Sequence, residues 1–157
     1  MTRASIAAVL VVGTVLLTPF AARAVDTEEN PVAAALDPDY AAGKKAIEAK
    51  QWNEAIAALS SAALRDTRNA DIQNYLGYAY RNAGQLEAAF RHYERALALS
   101  PRHRGAHEYV GEAYLIVNNL AKAEEHLAAL GRICLIPCEE FDELKEKIEA
   151  YKRSGKR

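Results

Sequence analysis

Residues 71–101 read DIQNYLGYAYRNAGQLEAAFRHYERALALSP, and this stretch decides the fold. Ile72, Tyr75, Leu76, Ala79 and Tyr80 recur at helical spacing, which predicts an amphipathic helix over Asp71–Ala83. Gly84 follows; lacking a Cβ, it takes up the left-handed backbone that ends a helix. Leu86, Ala89, Phe90, Tyr93, Ala96 and Leu97 repeat the pattern over Leu86–Leu99, and Pro101 bars further helix. The stretch is therefore a helical hairpin. Gly77 and Ala89 fall where its two helices cross, because two backbones approach closely only when no bulky side chain separates them. Leu76, Tyr80, Tyr93 and Leu97 fill the space on either side.

The hairpin is one of three copies. Gly43, Gly77 and Gly111 are spaced 34 apart, as are Ala55, Ala89 and Ala123. The same interval joins Ala42, Leu76 and Val110; Leu59, Tyr93 and Leu127; Ala62, Ala96 and Leu130; and Trp52, Leu86 and Leu120. Six registers in phase across three copies place the repeats at 36–69, 70–103 and 104–137.

With Leu76-Gly77, Tyr80, Gly84, Ala89, Tyr93, Ala96 and Pro101, the second copy resembles the tetratricopeptide repeat. The first copy departs from that family at Ala46 and Thr67, the third at Leu130 and Leu135. The resemblance implies an all-α solenoid of three hairpins whose first helices line a curved groove for a peptide or partner protein. Applied copy by copy, it implies groove positions at Tyr40, Lys44, Ile47 and Glu48, then Asp71, Asn74, Tyr78, Arg81 and Asn82, then Glu108, Glu112, Leu115 and Ile116. One variety of the family grips a peptide's C-terminal carboxylate with Lys, Arg and Asn. The matching positions here include Tyr40, Lys44, Tyr75, Gly105 and Tyr109, so most of the cations are missing and that grip is expected to be absent. Carboxylates at Glu108 and Glu112 favour a ligand with Lys or Arg at that end.

A stack of hairpins needs an end unit with one polar face. Residues 138–153 supply it: Phe141, Leu144, Ile148 and Tyr151 share one side of a helix over Glu139–Arg153, and Glu140, Glu143, Lys145, Glu146, Lys147 and Glu149 cover the rest. Glu143 and Lys147 stand in favourable i,i+4 order. The alternative, a free helix for a membrane or partner, is opposed by its carboxylates. Asp37-Pro38 reads as a cap followed by proline in the first turn. Residues 154–157 read as a frayed tail.

The amino terminus reads as a signal peptide: a basic start at Arg3, an apolar run from Ile6 to Leu17, and Ala22-Arg23-Ala24 before a cut after Ala24. The apolar segment to Phe20 is about 15 residues, short of the roughly 20 a spanning helix needs, so no stable membrane anchor should follow cleavage. The expected destination is the periplasm, with 25–35 a flexible leader. A homo-oligomer in which the groove receives a neighbour's leader is a further possibility of the pattern.

Across all 157 residues, 20 basic side chains face 21 acidic ones, a net charge of −1. The balance gives no footprint for nucleic acid, and Arg102-His103-Arg104 is too short to make one. Cys134 and Cys138, both cysteines of the chain, flank Leu-Ile-Pro between the last repeat and the end helix. In an exported protein the simplest reading is a disulfide, with Pro137 bending the segment. Two alternatives stand beside it: a copper or zinc site with His126 as third ligand, and a thiol-exchange pair. His107-Glu108 lacks the second His of a zinc-protease motif, since position 111 is Gly, and reads as a surface pair. His92, His103 and His126 read as ordinary surface or interhelix residues. No phosphate loop or nucleophile triad is present, so a non-catalytic chain without a cofactor is expected.

Overall fold

The structure, a computed structural model, describes residues 37–136 and 138–155. The expected signal peptide, the leader and the bend assigned to Pro137 lie outside these residues. The described residues form seven helices and no strand: α1 Pro38–Glu48, α2 Trp52–Arg65, α3 Ala70–Asn82, α4 Leu86–Leu99, α5 Arg104–Ile116, α6 Leu120–Ile133 and α7 Glu139–Arg153. Successive pairs form three helical hairpins, and α7 packs on both α5 and α6. Among the described residues no helix is long and apolar enough to cross a membrane.

Local chemistry sets the helix ends. Asp37 accepts the backbone N–H groups of Asp39 and Tyr40 at 2.8 and 3.0 Å, with Pro38 in the first turn as expected. Arg65 donates to that same Asp37 at 2.8 Å, tying the end of α2 to the start of α1. Asn69 caps α3 by accepting from Ile72 N–H at 3.1 Å. One period later His103 takes the same role, its Nδ1 accepting from Ala106 N–H at 3.1 Å while Nε2 meets Asp71 at 3.0 Å. His103 thus takes the interhelix place of the two expected for it, and caps α5 as well. Each hairpin turns through a left-handed residue at Lys50, Gly84 and Asn118, with φ of 56°, 78° and 57°. These three positions share the 34-residue register.

The crossings explain the small residues. A methyl group added at Gly43 would lie 2.5 Å from Leu59 Cγ, and one at Gly77 would lie 2.5 Å from Tyr93 Cε1. Real side chains do not approach so closely, so the helices can touch here only through glycine. Ala55, Ala89 and Ala123 are fully buried opposite. The third crossing differs. The nearest side chain to Gly111 is Leu144 of α7, 2.7 Å from where a methyl would stand, while Leu127 is only partly buried.

The end helix therefore does more than cover an apolar edge. Leu144, Ile148 and Tyr151 are buried, Leu144 and Ile148 with Ala123 and Leu130 in the third core cluster. Tyr151 Oη donates to Asn118 Oδ1 at 3.1 Å. Cys134 and Cys138 are joined by a disulfide with their α-carbons 6.0 Å apart, across the link from α6 to α7. Ser154, expected to be frayed, instead donates from Oγ to Tyr151 O at 2.7 Å and begins a hydrogen-bonded turn.

Candidate functional site

Curvature follows from which helices touch. Among the described residues the first helices of neighbouring hairpins meet, α1 with α3 and α3 with α5, whereas α2 makes no contact with α4, nor α4 with α6. The stack bends with α1, α3 and α5 inside, and α7 closes onto α5 as a further first helix would.

Along this inner face the sequence places a row of tyrosines. The rings of Tyr40 and Tyr75 lie 6.0 Å apart, with Lys44 Nζ 5.7 and 5.6 Å from their centroids. Tyr78 packs 4.8 Å from Tyr109 and edge-on to Trp52 at 6.1 Å. Tyr40, Lys44 and Tyr78 thus share the surface where they were expected. Tyr75 and Tyr109, which were not among the expected groove residues, belong to the same row.

Two of the expected contact residues are spent on each other. Arg81 Nη1 pairs with Glu112 Oε2, and Lys147 of α7 pairs with Glu112 Oε1. Both the Arg81 and Glu112 side chains are at most 10% exposed. Neither is available to a ligand; together they lock α3, α5 and α7. Lys147 was expected to pair with Glu143 along its own helix, but the buried Glu112 carboxylate needs compensation more than an exposed one does.

His107 and Glu108, expected as a surface pair, are 9% and 4% exposed. Their counterparts one repeat earlier, Gln73 and Asn74, are buried as well, because the next first helix covers this register. His107 Nδ1 meets His126 Nδ1 at 2.9 Å, and its Nε2 meets Pro101 O at 3.1 Å. Burial, then the neighbouring His107, pushes His126 down to about 4. Burial, then a hydrogen bond shared with Glu143, pushes the Glu108 carboxyl up to about 8. Glu108 Oε1 has no hydrogen-bond partner, and neither has Asn74 Oδ1, one period away. Both residues line a cavity of about 320 Å³ between α3, α5 and the start of α7.

The other implied groove residues divide. Ile47 and Leu115 pack against the first and third core clusters and so serve the interior. Asn82 donates to Tyr78 O at 2.8 Å, Asp71 holds His103, and Glu48 and Ile116 stay exposed. Glu139, Glu140 and Glu143 of α7 line the cavity, and of these Glu140 and Glu143 were read as a solvated surface. A signal for them existed: Tyr75, Tyr109 and Glu143 are spaced 34 apart, so the register runs on into the end helix.

The metal alternative lacks its ligand set in this structure, whereas a disulfide is equally the oxidised state of a thiol-exchange pair. The sulfurs of Cys134 and Cys138 are bonded to each other, and His126 faces His107 and stacks on Tyr114. Among the described residues these three do not converge. Glu108, Glu112 and Glu143 do, with carboxylate oxygens within 4.8 Å of one another, although both Glu112 oxygens are already engaged.

Residues 70–103 match the family model for the tetratricopeptide repeat. No curated protein matches the sequence. Among solved structures, the type III secretion translocator chaperone SycD of Yersinia enterocolitica is similar, with 17% identity, a TM-score of 0.69, and 80% of this chain and 88% of that one covered. PcrH, solved in complex with the chaperone binding region of PopD, gives 18% identity and a TM-score of 0.67 over 77% of this chain and 93% of its own. The first repeat domain of Spaghetti (RPAP3), bound to the HSP90 peptide SRMEEVD, gives 20% identity and 0.61 over 70% and 87%. These likenesses concern the fold.

Proposed function

We propose that this tetratricopeptide-repeat protein is a non-catalytic adaptor of the cell envelope that holds a segment of a partner protein along its inner face. The observation that carries the reading is the row of Tyr40, Tyr75, Tyr78 and Tyr109 with Lys44 set over its first two rings. Tyrosine offers a large rigid surface and a hydroxyl at small entropic cost, which suits a surface that must order a flexible ligand. Three proteins of similar fold support it by their bound partners: SycD with a YopD peptide, PcrH with the PopD region and RPAP3 with an HSP90 peptide.

The carboxylate grip remains outside the proposal, because Lys44 is the one cation at the matching positions named above. Export rests on the three-part amino terminus. Amino-terminal sequencing of the protein from a periplasmic fraction should begin at Val25; an intact Met1 would overturn that assignment.

The groove is tested with a random peptide library displayed to the mature chain. Enriched peptides should lose at least about tenfold in affinity on Lys44→Ala with Tyr78→Ala, while the thermal midpoint shifts by only a few degrees. Equal affinity for the double variant would place the contact elsewhere, and no enrichment at all would remove the adaptor reading.

A further inference from the structure

We infer that the cavity between α3, α5 and α7 receives the cationic side chain of an Arg or Lys residue carried by the bound segment. The inference rests on the adaptor reading and names the chemistry at one end of the groove.

Acidic residues at the start of α7 have an ordinary explanation, since carboxylates favour the positive end of a helix. Two of the cavity's carboxylates also have local partners: Asp71 meets His103 at 3.0 Å, and Glu140 meets Arg104 at 3.4 Å. Glu108 has no basic partner of its own: the side chains gathered round it include the carboxyls of Glu112 and Glu143. It lies in the middle of the first turns of α5, only 4% exposed, with Oε1 unpartnered. Leaving such an oxygen dry and unpaired costs about 1–3 kcal/mol, more if charged, and a fold would shed that cost with Leu at this position. Asn74, another buried residue lining the same cavity, carries an unpartnered Oδ1. Two buried residues with unpartnered acceptors line one space with the carboxylates of Glu139, Glu140 and Glu143, and a donor-only group of positive charge suits such a lining.

The occupant's size can be argued too. A metal ion would need Glu112 as third carboxylate, but both its oxygens are held by Arg81 and Lys147. The space of about 320 Å³ exceeds what a bare ion fills, and Tyr75 and Tyr109 wall it with ring surface on which an alkyl stem or planar guanidinium packs. It adjoins the tyrosine row, so a peptide lying along that row reaches the cavity without leaving the groove. The basic preference once assigned to Glu108 and Glu112 thus belongs to Glu108 with Glu143, from a helix outside the repeats.

The test compares each library-enriched peptide with a copy in which Arg is replaced by citrulline, or Lys by norleucine, using fluorescence anisotropy. The change is made on the peptide, so the protein's folding is untouched. Enriched sequences should share a basic residue, and its replacement should weaken binding at least about tenfold. With Glu108→Gln plus Glu143→Gln the same replacement should matter less than about threefold. Peptides that bind the groove with no loss on replacement, or a library enriched in acidic residues, would overturn this inference while leaving the adaptor reading intact. Failure of every peptide to bind would overturn both. Calorimetric titration with calcium and magnesium chloride adds a third arm: stoichiometric binding abolished by Glu108→Gln would make this an ion site and overturn the peptide assignment.

Discussion

Lys50, Gly84 and Asn118 hold the same place in three hairpins, each with the backbone turned left-handed, yet only one of them is glycine. A residue with a Cβ loses roughly 1 kcal/mol or more in that conformation, and asparagine relieves part of this through its short polar side chain. Lys50 has no such relief and is exposed. Lys50→Gly should therefore stabilise the chain by about 0.5–1 kcal/mol in urea denaturation, and a lower midpoint would contradict this account. Glu108 supplies the second prediction at this scale. Its folded carboxyl titrates near 8 against an ordinary 4.5, held up by burial and by Glu143 and Glu112, against which Lys147 pulls down. The folded chain keeps a proton that the unfolded chain releases, so stability falls as pH rises through that window. Glu108→Gln has no proton to lose. Near pH 5 its thermal midpoint should match that of the parent, and at pH 8.5 it should exceed it by on the order of 1–2 kcal/mol of stability. A gap independent of pH would rule out the titration of Glu108 as its cause.

Among the elements, α7 is the one whose role the pattern understated. Its apolar side was legible as Phe141, Leu144, Ile148 and Tyr151, spaced for one face of a helix, and three of these are buried in the structure. Its polar side read as solvent-facing because charge on a helix surface usually is. Two neighbours on α5 changed that: Lys147 goes to Glu112, and a Glu143 carboxylate oxygen comes within 4.8 Å of Glu108. The disulfide between Cys134 and Cys138 joins the end of α6 to the start of α7 and limits how far α7 can swing from the stack. A loop this small contributes about 2 kcal/mol through the unfolded chain. Reduction should lower the thermal midpoint accordingly and, since α7 walls the cavity, weaken discrimination between Arg and citrulline peptides. Unchanged discrimination in the reduced protein would show that the packing of Leu144 and Ile148, with the contacts of Lys147 and Tyr151, positions α7 without the disulfide.

Over the whole molecule, the fold was legible because it is built from contacts that repeat. The first two hairpins close over their own glycines, the third is closed by α7, and each unit touches only its neighbours, so a 34-residue period in the sequence maps onto a period in space. The groove was legible in part for the same reason. Tyr40, Lys44 and Tyr78 lie where the register puts them, since their surroundings are made by their own repeat and the next.

The sequence by itself determined the helices, their pairing, the small residues at the crossings and the side of the stack that faces inward, because all of these are fixed by interactions within one period or between adjacent ones. Tertiary structure alone decided which charged residues are free. Arg81 and Glu112 are 31 residues apart, Glu112 and Lys147 35, and nothing in either helix's own pattern says that they meet. Burial of a carboxylate depends on what closes over it, and over Glu108 that is a helix from beyond the last repeat.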